Sequence, residues 1–110
     1  KEIIIRGGAK ISPAEIEEVL TAHPAVLAAA ILGAPDRVFG EVPVAFVVRI
    51  AGDVSTTAEL YAYARGRLGA LKTPERLKVV GHDELPRNAI GKVLKRELRN
   101  RMQMNVGPER

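Results

Sequence analysis

Whether Ala25-Val26-Leu27-Ala28-Ala29-Ala30-Ile31-Leu32-Gly33 is strand or helix settles the architecture. An unbroken apolar run of this length fits a buried strand or a short helix by periodicity alone. Its boundaries separate the two. Pro24 precedes the run and Gly33-Ala34-Pro35-Asp36 closes it, and this punctuation favours a strand. Val42-Pro43-Val44-Ala45-Phe46-Val47-Val48-Arg49-Ile50 is a second β-rich run, ended by the turn residues Ala51-Gly52-Asp53. The two runs are expected to pair as a hairpin across a loop at 34–41.

Helical signals flank this pair. Ser12-Pro13-Ala14-Glu15 has the form of a capping box, with Ser12 as N-cap, Pro13 as first helical residue and Glu15 reaching back. Ile11 and Ile16 stand at staple positions, and Ile16, Val19 and Leu20 recur at helical spacing, which predicts a helix over 13–22. His23-Pro24 closes it, since a residue before proline avoids the α region. Upstream, residues 2–6 read as a short strand ending in a tight turn at Gly7-Gly8. Thr56-Thr57-Ala58-Glu59 offers another box, and Leu60, Ala64, Leu68 and Leu71 predict a helix over 57–70, weakened by Gly66 and Gly69. Residues 76–81 alternate as a strand. A loop at Pro86 then leads into a helix over 95–102, and 103–110 is expected as a flexible tail. The order β-α-β-β-α-β-α indicates an α+β domain with helices packed on a mixed, mainly antiparallel sheet.

The 110 residues fit one domain, and an apolar fraction of 46% suits a packed core. That core is aliphatic, because Phe39, Phe46, Tyr61 and Tyr63 are the aromatic residues. Cysteine is absent, so there is no disulfide, thiol nucleophile or thiolate metal site, in keeping with a reducing, cytoplasmic setting. No apolar run approaches the ~20 residues that cross a bilayer. The chain opens at Lys1-Glu2-Ile3-Ile4-Ile5 within a folded pattern, as expected of a piece of a longer polypeptide. Its positive charge is uneven. Arg87, Lys92, Lys95, Arg96, Arg99 and Arg101 stand against Glu97 alone, and such a cluster attracts phosphates.

Within that cluster lies Pro86-Arg87-Asn88-Ala89-Ile90-Gly91-Lys92. Proline fixes the backbone entering the loop, and a glycine before the lysine permits a positive φ or a close approach. The pattern holds one cation on a short, constrained arm. Taken alone, a loop lysine is ordinarily a solvated surface charge.

Two separated segments change that reading. Lys1-Glu2-Ile3-Ile4-Ile5-Arg6-Gly7-Gly8-Ala9-Lys10-Ile11-Ser12-Pro13 resembles the opening of the C-terminal domain of adenylate-forming enzymes. These are the acyl-CoA synthetases, the luciferases and the adenylation domains of peptide synthetases. Leu85-Pro86-Arg87-Asn88-Ala89-Ile90-Gly91-Lys92-Val93 resembles their final motif. Ile31-Leu32-Gly33-Ala34-Pro35-Asp36-Arg37-Val38-Phe39-Gly40-Glu41 is similar to the segment between, so the resemblance spans residues 1–100 in order.

The resemblance implies that residues 1–102 form the lid of an ATP-dependent acid–CoA ligase. Fatty acids lead the candidate acids. In that family a carboxylate attacks the α-phosphate of ATP, and a thiol then takes the acyl group from the adenylate. ATP, CoA and Mg2+ are bound mainly by an N-terminal AMP-binding domain of the same polypeptide. Lys92 matches the catalytic lysine, and Lys1 the hinge about which the lid rotates. Gly7 and Gly8 match the glycines beside the pantetheine channel, with a plain turn between strand and helix as the other reading. Phe39 matches an aromatic placed against the CoA adenine, with ordinary loop packing as the other reading. Lys10 faces CoA phosphates or is simply hydrated.

Two alternatives remain at this point. One is a lid serving a carrier protein, in a fatty-acyl-AMP ligase or a peptide synthetase. The other is a basic nucleic-acid-binding domain using residues 87–101, but no aromatic for base stacking lies in that cluster, so nucleic acid is not the expected partner. His23 and His82 lie apart beside turns and read as surface residues. No paired carboxylates or metal-spaced ligands stand out.

Overall fold

The computed structural model describes residues 2–106, so the hinge expected at Lys1 and the last residues of the expected tail lie outside it. The chain divides into two compact units, one up to Val80 and one from Gly81 onward.

The first unit is built on a hairpin. Strands β3 (Val26–Asp36) and β4 (Gly40–Arg49) pair antiparallel from Ala28↔Val48 down to Asp36↔Gly40. The decisive apolar run is therefore a strand. The connecting loop is shorter than the 34–41 expected, shrinking to 37–39, because Pro35 fits inside the ladder as Pro43 does. Pro35 lies on β3, which ends the strand order and forms an edge among the described residues. Pro43 accepts a hydrogen bond from Glu75 N at 2.7 Å, on the side away from β3. A strand residue's N and O point the same way, so the N–H that Pro43 lacks is not owed to β3. Near the hairpin's open end a register shift between Val26 and Ala28 leaves Leu27 exposed.

Strand β4 also organises its other edge. β1 (Ile4–Arg6) meets it at Arg6↔Gly40, and β5 (Arg76–Val79) runs parallel to Val44–Val47. β1 continues into β2 (Ala9–Ile11), a strand the sequence reading omits. Gly7 and Gly8 form the two-residue link, and both have positive φ, 56° and 91°. This is the backbone that tight hairpins require. Gly-Gly was itself the signal, but a three-residue strand carries too little periodicity to be seen. The sheet is mainly antiparallel, with β4–β5 its parallel pair, and the fold is α+β as expected.

Helices α1 (Pro13–Thr21) and α2 (Thr57–Lys72) cover one face. Ile16 and Leu20 from α1 and Leu60 and Ala64 from α2 close over Ile31, Ala45, Val47 and Leu77. Leu32, Val42, Val44 and Val48 on the opposite face of the hairpin are buried as well. Strands buried on both faces read as continuous apolar runs, not alternating ones. At the free edge of β3, Ile31 N donates to Glu17 Oε2 on α1 at 2.9 Å.

The caps differ from expectation in one respect. Ser12 Oγ accepts from Glu15 N at 3.4 Å, but the Glu15 carboxylate does not return to the cap. Both its oxygens meet Lys72 Nζ at 3.2 Å, so that a cross-helix ion pair replaces the local bond. The box on α2 is complete, with Glu59 N donating to Thr56 Oγ1 at 3.1 Å and Thr56 N to Glu59 Oε1 at 3.0 Å. This helix is interrupted at Gly69 (φ 80°), close to the expected end at 70, and a further turn runs on to Lys72. Asp53, in the turn before α2, has its carboxyl held below the ordinary range by hydrogen bonds from Ser55.

In the second unit a 3₁₀ turn over His82–Glu84 precedes the loop, and α3 runs Lys95–Val106. The helix passes the expected end at 102 because no helix breaker intervenes before Gly107. Leu85 and Leu98 are buried.

Core position, not hydrophobicity, should set mutational cost. Ile31→Ala is expected to lower unfolding free energy by about 3 kcal/mol in urea, while Ile50→Ala, at an exposed site, changes it by less than about 1 kcal/mol.

Candidate functional site

The basic loop is stapled from within. Arg87 and Val93 form an antiparallel bridge, and Leu94 N donates to Pro86 O at 2.7 Å. Asn88 N donates to Lys92 O and Gly91 N to Asn88 O, both at 2.9 Å. Asn88 Oδ1 accepts from Ile90 N at 3.1 Å and from Lys92 N at 3.0 Å. Gly91 turns the chain at φ 88°. Lys92 follows it, exposed, and among the described residues nothing hydrogen-bonds or ion-pairs its ammonium. An unpaired lysine on a fixed root is a mobile point charge suited to an anion brought from outside.

Gly7, Gly8 and Phe39 form a second constellation, in the first unit. Gly7 N donates to Phe39 O at 2.7 Å, joining the β1–β2 turn to the β3–β4 loop. Asp36 Oδ2 accepts from Val38 N at 3.0 Å and Phe39 N at 2.8 Å, which shapes that loop. A Cβ on Gly7 would stand 3.3 Å from Phe39 Cδ1, whereas one on Gly8 would meet open space. Gly8 is therefore a glycine for its backbone angle, and its peptide is accessible. The Arg6 guanidinium lies 4.8 Å from the Phe39 ring centroid. It also donates to Leu71 O at 3.1 Å and Thr73 O at 3.4 Å and pairs with Glu75 at 3.0 Å. Phe39 keeps 42% of its surface exposed on this support. A half-exposed ring beside an open turn can stack on a flat ligand.

The expected site residues thus sort into two groups. Gly7, Gly8 and Phe39 come together. Lys10 is exposed on β2 opposite Ile5, and Lys92 belongs to the second unit. The supports Arg6, Asp36 and Asn88 escaped the sequence reading. Asp36 and Asn88 were detectable in principle, because Asn and Asp in turns bond their own backbone a few residues on. Nothing local marked Arg6, whose hydrogen-bond partners are more than sixty residues away. His23 is half-buried rather than at the surface, its ring edge-on to Tyr63 and its Nδ1 accepting from Ala25 N at 2.9 Å. Among the described residues no cluster of three or more carboxylate or imidazole groups is placed to hold a metal, and no helix is long and apolar enough to cross a membrane.

The model of the AMP-binding enzyme C-terminal domain matches residues 15–92, and the chain belongs to that family. It is 48% identical over 98 residues to 2-succinylbenzoate–CoA ligase of Bacillus mycoides (strain KBAB4), covering 89% of this chain and 20% of that protein. It is 42% identical over 101 residues to the fatty acid–[acyl-carrier-protein] ligase ScoC of Streptomyces coeruleorubidus, covering 92% and 19%. Mycobacterium tuberculosis fatty acyl CoA synthetase aligns with a TM-score of 0.82 at 36% identity, over 94% of this chain and 20% of that structure. The chain spans about one fifth of the length of the curated relatives it matches.

The two turn glycines should respond differently to a methyl group. Gly8→Ala is expected to cost about 1–2 kcal/mol from backbone strain alone and to leave the NMR resonances of the Phe39 ring in place. Gly7→Ala should displace those resonances, because its Cβ presses on that ring.

Proposed function

We propose that residues 1–102 are the lid of an ATP-dependent acid–CoA ligase and that Lys92 is its adenylation lysine. The observation that carries the reading is Lys92 itself, exposed and, among the described residues, unpaired on a loop stapled at its root. Adenylation brings an anionic carboxylate against the anionic α-phosphate of ATP, and negative charge builds at phosphorus. An ammonium delivered there offsets that charge, most effectively once the closing domain excludes water. The body that binds ATP and the acid is the N-terminal domain of the same polypeptide. Mg2+ enters with ATP on that domain.

The second half-reaction uses the other constellation. The Gly7-Gly8 turn lies along the pantetheine arm of CoA, Phe39 stacks on its adenine and Lys10 faces its phosphates. Lys1 is the hinge between the two presentations. A fatty acid is the preferred acid, supported by the similarity to ScoC and to the Mycobacterium tuberculosis fatty acyl CoA synthetase, and we take the compartment to be the cytoplasm. A carrier protein as thiol acceptor is the second reading, favoured by the similarity to a ligase of that kind.

In the full-length ligase, Lys92→Ala should slow acyl-adenylate formation by about 10²–10³-fold, measured as pyrophosphate release. Thioester formation from supplied acyl-adenylate should continue, and equal loss of both steps would overturn the assignment. Gly8→Leu should show the opposite pattern, with transfer to CoA impaired and pyrophosphate release retained.

A further inference from the structure

We propose that Asn88 is the positioning residue of the lysine arm, acting on the reaction only through Lys92; this rests on the reading of Lys92 given above. Four hydrogen bonds converge on Asn88. Its backbone N and O hold Lys92 O and Gly91 N, and its side-chain Oδ1 holds the N–H groups of Ile90 and Lys92. Both side-chain partners are donors, so the amide must present its oxygen to them and its orientation is determined. Lys92 is thereby held through both its peptide nitrogen and its carbonyl, while its ammonium stays unpartnered among the described residues.

That division of labour has chemical sense. A lysine side chain has many rotamers, and if its Cα also wandered the ammonium would sweep a much larger volume. Fixing the root confines the charge to the region its four-carbon stem can reach. Asn88 is neutral, so its contribution is geometric, and a misplacement of the order of 1 Å can cost about 100-fold in rate. Asn88 is exposed, so water can satisfy the freed N–H groups when its side chain is removed.

The test uses the full-length ligase and separates the two half-reactions. Asn88→Ala should lower kcat for adenylation by roughly 10- to 100-fold, with KM for ATP and acid within about two-fold. Thioester formation from supplied acyl-adenylate and the thermal midpoint should be unchanged. Asn88→Ser, whose neutral hydroxyl oxygen can still accept from nearby backbone N–H groups, should recover part of the lost rate. In a Lys92→Ala background, Asn88→Ala should have no further effect, since no arm remains to be positioned. Loss of both half-reactions together, or a further loss in that background, would make Asn88 a residue of the fold alone and overturn the proposal. Wild-type adenylation by Asn88→Ala would overturn it too. If Lys92→Ala itself leaves adenylation intact, the reading of Lys92 is what has failed.

Discussion

Strand β4 is hydrogen-bonded along both edges, and the geometry of the first unit follows from that constraint. β3 occupies one side for almost its whole length, and β1 and β5 divide the other. Where β1 reaches β4 the ladder is short, and a side chain extends it: Ile5 N donates to Glu41 Oε1 at 2.9 Å. Gly33, opposite Pro43, leaves space for that carboxylate, since a Cβ there would stand 3.0 Å from Glu41 Oε2 and 3.2 Å from Ile4 Cγ1. The start of β4 is thereby fixed against the end of β1, which brings Phe39 beside Gly7.

The two constellations are built by different physics. The lysine loop closes through contacts a few residues apart, so its conformation depends little on distant packing. The glycine turn and Phe39 depend on long-range partners. Arg6 ties β1 to the end of α2 and the start of β5, and Gly7 reaches the far end of the hairpin. Locally closed loops tolerate displacement as a piece, whereas a turn tied at several distant points holds its place within the sheet.

This difference also explains what was legible in the sequence. Capping signals, apolar periodicity and proline punctuation are local, and they located both helices of the first unit, the hairpin and β5. They overstated the hairpin loop because Pro35 was read as punctuation closing the first strand, although it lies on an edge strand where no ladder donor is needed. Glu15 was assigned to its own helix cap, and the tertiary competitor Lys72 lay fifty-seven residues away. In the site, Lys92 and the glycines stood out by motif. The role of Arg6 depends on strand order, which spacing along a chain does not encode.

The outer side of β3 has a further consequence. A strand of eleven residues at the end of a sheet would ordinarily template the addition of a foreign strand. Here one of its amides is occupied by the Glu17 carboxylate, and Pro35 has none to offer. An intruding β-segment would find a ladder with missing rungs, which gives a chain so rich in aliphatic β-sequence a built-in defence against fibrillar stacking.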